Sequence, residues 1–191
     1  MVEPRVSLLR ELSQIDKAVY RAIAATPSPT LDESLRRLSN AANNSVLWVG
    51  LATGLAALGG PKGRRAAVAG LVSIGVSSAV VNIGLKSLGE RARPDRTGAG
   101  VASERHVKMP DSSSFPSGHS ASAFAFAAAA SRELPLLALP LRGLAAAVAY
   151  SRVHTGVHYP GDVLVGSLVG AASGQIVAGV LDRWRPRVPR G

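Results

Sequence analysis

Between Ser45 and Leu181 the chain alternates apolar stretches rich in Ala, Gly, Val and Leu with polar or charged interruptions. The stretches run 45–60, 66–86, 118–131, 136–153 and 162–181. A helix that crosses a bilayer needs about 17–25 residues. The second and fifth stretches meet that comfortably, and the others have soft boundaries. A soluble β fold fits poorly, because strands favour β-branched and aromatic side chains and only 4% of the residues are aromatic. Small residues at this density suit helices that approach one another closely in lipid. The expected fold class is all-α, an integral membrane helical bundle of about five transmembrane helices.

The residues before this region read differently. In 5–25, Leu8, Leu12, Ile15, Val19 and Ile23 recur at helical spacing, opposite Arg10, Gln14, Lys17 and Arg21. "TPSPT" breaks the pattern, and "LDESLRRLSNAANN" resumes it with more charge. Both stretches suit helices lying at the membrane surface. The expected organisation is amphipathic interfacial helices over 1–44, a transmembrane domain over 45–181, and a basic tail over 182–191 that reads as disordered. "PKGRR" reads as a turn between the first two spans. The formal charge of +10 would suggest nucleic acid in a soluble protein, but basic residues flanking apolar blocks instead anchor a membrane protein and attract anionic lipid. The expected partner is therefore the bilayer, with no nucleic acid. The absence of cysteine excludes a thiol nucleophile or a thiolate-bound metal. The N-terminus has no apolar stretch of the kind a signal peptide carries.

Polar side chains at the edge of membrane helices are costly and mark site candidates. Three groups stand out: Lys86 followed by Arg93-Pro94; Ser117-Gly118-His119; and Ser151-Arg152, His158 and Asp162. Counting crossings brings all three to one end of the bundle. Lysine and two arginines suit a tetrahedral phosphate. A helix N-terminus at Gly118 adds backbone donors for an anion. Asp162, four residues after His158, can orient that imidazole and free its other nitrogen for attack. His119 has no carboxylate nearby in sequence and is the better candidate to protonate a leaving alkoxide. His154 and His106 fit none of these groups. Glu90, Arg91, Asp95, Arg96, Arg105 and Lys108 read as a solvated loop. The glycines at 166, 170 and 174 read as a packing seam.

Lys86-(six residues)-Arg93-Pro94, Pro116-Ser117-Gly118-His119 and Ser151-Arg152-(five residues)-His158-(three residues)-Asp162 together resemble the signature of the type 2 phosphatidic acid phosphatase superfamily. The resemblance covers about residues 45–181, and "IDKAVYRAI" and "LDESLRRLS" resemble the interfacial helices of its bacterial undecaprenyl-diphosphatase branch. It implies a phosphatase without metal or other cofactor, working through a phosphohistidine on His158. Asp162 would orient that histidine and His119 would act as the acid. Lys86, Arg93, Ser117, Gly118 and Arg152 would hold the phosphate. Membrane members often have six spans, where five are counted here.

Two other readings use the same cations: a haloperoxidase-like enzyme binding vanadate, and a non-enzymatic protein that binds or transports lipid phosphates. Apolar blocks argue against the first, and the His158–Asp162 spacing is unexplained by the second. Polyprenyl phosphate or diphosphate, phosphatidate, phosphatidylglycerol phosphate and a polyprenyl-phosphoryl sugar phosphate all present a terminal phosphate. The basic "PKGRR" and the basic tail fall on the face opposite the motifs, which places the catalytic face outside the cytoplasm of a cell membrane.

Overall fold

The computed structural model describes residues 4–88 and 90–184; they form helices and loops, with no strand among them. Seven α-helices follow in order: α1 (Pro4–Ala25), α2 (Pro29–Ala41), α3 (Val46–Leu58), α4 (Gly60–Ala79), α5 (Gly118–Glu133), α6 (Ala138–His154) and α7 (Pro160–Arg183). Helix α4 continues through a π turn over Val80–Leu85, making one helical stretch of 26 residues. Each apolar stretch of the sequence is thus a helix. By length and composition three of them can cross a membrane: Gly60–Leu85, Pro135–His154 and Pro160–Arg183. The count becomes four if α2 and α3, bent by 67°, form one broken span. The shortfall from five lies in α3, with 13 residues, and α5, with 16.

Helix α5 is short because it is the centre of the bundle. Eleven of its residues are buried, nearly all Ala or Ser, with Phe126 as the one large side chain among them. Phe126 packs against the buried Trp48 of α3, ring centroids 5.3 Å apart. Helices α4, α6 and α7 surround α5. The seam with α7 depends on glycine. A Cβ on Gly166 would lie 2.4 Å from the Ser117 carbonyl oxygen, one on Gly170 2.1 Å from that of Ala121, and one on Gly174 2.5 Å from that of Ala125. The small-residue spacing is a packing seam, and it brings the N-terminal ends of α5 and α7 together.

Two expectations need correction. "PKGRR" is not a turn but the first turns of α4; the corner is Gly59–Gly60, Gly60 has φ +57, and Pro61 suits the start of a helix. The loop charges are not all solvated. Arg105 is buried, pairs with Asp32 of α2 through Nε at 2.9 Å, and donates to the carbonyls that end α1, including Thr26 O at 2.7 Å. His154 is equally buried, with Nε2 2.9 Å from the same Asp32 carboxylate. Through Asp32, Arg105 and His154 therefore tie α2 to the long loop and to α6. The expected tail lies outside the described residues from 185 onward.

Helix α1 buries Tyr20 and Ala24 and turns Leu8, Leu12, Ile15 and Val19 outward. An apolar stripe facing away from the protein fits a helix lying in the membrane surface. The Gly170 contact yields a direct check. Gly170→Ala drives a methyl into backbone and should destabilise the bundle by about 1–3 kcal/mol. Gly179→Ala, whose Cβ meets nothing within 4 Å, should leave the thermal midpoint in detergent unchanged.

Candidate active site

The three motif clusters meet at one end of the bundle, around a cavity of about 250 Å³ lined by Lys86, Arg93, Gly118, His119 and His158 among others. Lys86 follows the π turn that ends α4, and its Nζ donates to Ser112 Oγ at 3.0 Å. Arg93 is anchored from two sides. Its Nε donates to Ser112 O at 2.9 Å and its Nη1 to Val157 O at 2.8 Å. That leaves Nη1 3.3 Å from His158 Nε2. Burial and the neighbouring Arg93 charge lower the Lys86 pKa, and burial lowers that of Arg93. Cations held this close, and short of water, are poised for an anion.

His158 lies in the turn between α6 and α7, almost wholly buried. Burial pushes its pKa down to about 4; Asp162 opposes the shift, and Arg93 and Arg152 reinforce it. The ring is therefore neutral at physiological pH, with a lone pair available. Nε2 faces Arg93, and Nδ1 lies 3.6 Å from Asp162 Oδ2. That is longer than a hydrogen bond, and Oδ2 is already shared. It accepts from Ser114 Oγ at 2.5 Å and from the Tyr159 N–H at 2.8 Å.

Two expected phosphate ligands sit behind the cavity wall. Ser117 caps α5, its hydroxyl accepting from Ser120 Oγ at 3.0 Å, while its N–H donates to the Asp162 carbonyl at 2.9 Å. Arg152 is buried in α6 and donates to Ser39 Oγ at 2.6 Å. Gly118 does line the cavity. As the first residues of α5, Gly118 and His119 have N–H groups without intrahelical acceptors.

The sequence reading missed the supports. Arg91 joins α1 to α7: Nη1 donates to Asp162 Oδ1 at 2.7 Å and Nη2 to Asp16 Oδ2 at 2.6 Å. Its guanidinium lies 4.3 Å from the Tyr159 ring centroid. Asp16 also accepts from the Gly161 N–H at 2.7 Å. His119 Nε2 lies 2.9 Å from Asn43 Oδ1 in the turn before α3. The one available signal was Asp16, a carboxylate next to the apolar stripe of α1. Its partner lies 75 residues away, beyond any local pattern.

The fold is that of a membrane-embedded phosphatase. Residues 66–186 match the family model of the PAP2 superfamily, and the chain belongs to that superfamily. It is a membrane lipid-phosphate phosphatase. It is 34% identical over 161 residues to decaprenylphosphoryl-5-phosphoribose phosphatase of Mycobacterium tuberculosis, covering 82% of this chain and 84% of the relative. The enzyme of the same name from Mycolicibacterium smegmatis is 34% identical over 151 residues, 78% of this chain and 77% of that one. Among solved structures, a transmembrane PAP2-type phosphatidylglycerolphosphate phosphatase from Bacillus subtilis superposes with a TM-score of 0.71 at 25% identity, covering 92% of this chain and 88% of the other. LpxE from Aquifex aeolicus gives 0.63 at 26% identity, covering 86% and 95%.

Arg91 supplies the test of this geometry. Arg91→Ala removes a charged hydrogen bond from Asp162, worth about 1.5–3 kcal/mol. If that stabilisation serves the transition state, kcat should fall roughly 10–100-fold with little change in KM, measured as phosphate release from a lipid phosphate in detergent.

Proposed function

We propose that the chain hydrolyses the terminal phosphate monoester of a polyprenyl-linked membrane lipid through a phosphohistidine on His158. The observation that carries this is the 3.3 Å approach of Arg93 Nη1 to His158 Nε2, inside a cavity that also presents Lys86 and His119. A phosphate drawn to Arg93 and Lys86 lies against a neutral imidazole nitrogen. Nε2 attacks phosphorus, the bond from phosphorus to the leaving oxygen breaks, and the electron pair departs on that oxygen. Burial and the neighbouring Arg152 charge push the His119 pKa down to about 3; the negative charge of the bound phosphate counters the cations around it, and the protonated His119 gives the oxygen its proton. Water, deprotonated by His119, then attacks the phosphohistidine; the P–N bond breaks, and phosphate and neutral His158 are restored. Asp162 supports the positive ring while the P–N bond exists. Gly118 contributes backbone N–H groups at the start of α5. Arg152 acts on the site through its charge and Ser117 through the cap on α5. The mechanism uses no metal or cofactor.

The polyprenyl assignment rests on the names of the 34% identical relatives, which specify a decaprenylphosphoryl substrate. The catalytic face is assigned to the extracytoplasmic side of the cell membrane. Lys62, Arg64 and Arg65 begin α4 at the opposite end of the bundle from the cavity, and basic residues favour the cytoplasm. The residues before 45 form an interfacial unit, those from 45 to 181 the catalytic domain, and 182–191 a basic tail.

His158→Ala should abolish turnover and leave no acid-labile phosphoenzyme after a rapid quench. His119→Ala should slow phosphoenzyme formation about 10²–10⁴-fold. Normal rates in either variant, or loss of activity in chelator restored by added metal, would contradict the mechanism.

The pH profile follows from the sign of the His158 shift. The nucleophile must be neutral, and a depressed pKa keeps it neutral to lower pH. The acid limb of kcat/KM should therefore fall near pH 4, well below the 6.5 of an ordinary histidine.

Topology is testable because the chain has no cysteine. A thiol from Thr97→Cys, in the exposed loop beside the site, should react with an impermeant reagent in intact cells. One from Lys62→Cys should not.

A further inference from the structure

His119 has to give a proton to the leaving oxygen and later take one from water, so one of its ring nitrogens must face the cavity at both steps. The other is held from outside the signature motifs. Nε2 lies 2.9 Å from Asn43 Oδ1, in the turn between α2 and α3. A second contact sets the orientation of that amide. Asn43 Nδ2 donates to Asn40 Oδ1 at 3.4 Å, which turns the oxygen end toward His119. An amide oxygen only accepts, so Nε2 carries the hydrogen, and this bond fixes the tautomer of the neutral ring. Nδ1 has no protein partner among the described residues. It is the nitrogen left for the cavity that this half-buried ring lines.

The turn that presents Asn43 is strained. Asn44 and Ser45, directly after it, hold left-handed conformations with φ 50 and 60, which cost residues with a Cβ. Such strain persists where the surroundings over-determine it, commonly at active sites. The chemistry of the contact is also distinctive. His158 has Asp162 beside it and His154 has Asp32. The charges acting on His119 come from Arg152 of α6, His158 of the turn before α7, Arg93 of the long loop and Lys86 at the end of α4, and no carboxylate is among them. A carboxylate at this point would repel the phosphate that Lys86 and Arg93 attract, and would retain the proton that His119 must release. A neutral amide oxygen steadies the imidazolium with neither effect.

We propose that Asn43 is the positioning residue of the acid–base histidine: it holds the Nε2–H of His119, so that Nδ1 delivers the proton to the leaving oxygen and afterwards accepts one from water. This rests on the reading of the site as a phosphatase acting through His158, and assigns the nitrogen used at each proton transfer. When the Nδ1–H bond breaks, its electron pair stays on Nδ1 and the ring is neutral, with its hydrogen on Nε2. As the water oxygen bonds to phosphorus, the proton of the water returns to Nδ1, and the ring ends the cycle as it began.

The test uses the purified full chain in detergent, with histidine labelled for nitrogen NMR. At neutral pH the His119 ring, identified by its loss in His119→Ala, should carry hydrogen on Nε2; hydrogen on Nδ1 overturns the proposal. The second arm is phosphate release from phosphatidate and from a polyprenyl phosphate, followed with whichever turns over faster. Asn43→Ala should lower kcat roughly 10–100-fold with little change in KM. It should move the alkaline limb of kcat to lower pH, because the imidazolium loses its acceptor. Asn43→Asp keeps the size of the side chain and should do the opposite: its carboxylate should move that limb to higher pH, and should raise KM by repelling phosphate. General loosening of the fold does not shift the limb in opposite directions in the two variants. A limb that moves in neither variant, or in the same direction in both, overturns the role of Asn43 and leaves the phosphatase reading standing. Normal turnover by His158→Ala overturns that reading, and the role of Asn43 with it.

Discussion

The structure turns on one buried carboxylate. Asp162 is fully removed from solvent at the start of α7, where an unpaired charge would be prohibitive. Its oxygens accept from Arg91, Ser114 and the Tyr159 backbone, and its own carbonyl receives the Ser117 N–H. One residue therefore fixes the long loop, the nucleophile's turn and the cap of the central helix. The His158 ring takes the place left over, at 3.6 Å. Charge compensation comes first in this arrangement, and histidine orientation follows from it.

That carboxylate can do this only because α7 lies so near α5. The glycine seam puts the backbones in contact, and the alanines of α5 let α4 and α6 close in from the other sides. Small side chains that contribute little area individually set the dimensions of the cavity. The π turn at the end of α4 then releases Lys86 toward it. Such turns are frequent at functional sites.

The helices and the principal site residues were legible because their signals are local. Apolar blocks mark helices wherever they sit, and the distance from His158 to Asp162 is one helical turn. Crossing parity alone placed Lys86, His119 and His158 at the same end. What could not be read were pairings across the chain. Arg91 looked like any loop arginine until Asp16 and Asp162 stood on either side of it, and Arg105 and His154 looked dispensable until Asp32 appeared between them. Ser117 and Arg152 were identified as motif residues, but the sequence could not show that one caps a helix and the other turns toward Ser39. The short α5 was legible as an apolar block, though not as the bundle's axis, because burial by other helices relieves it of the length that lipid contact demands.

The supports from α1, α2 and the turn before α3 bear on how such a chain can change. Asp16, Ser39 and Asn43 contact Arg91, Arg152 and His119, yet all three precede residue 66, where the match to the family begins. The unit that carries the signature is thus smaller than the unit that holds it in shape. Exchanging N-terminal helices between two relatives would transplant the scaffolding of three charged or ionisable groups while leaving the groups themselves behind. Divergence in the leading helices and divergence in the catalytic loop are therefore not independent, and compensating changes should arise in pairs separated by most of the chain.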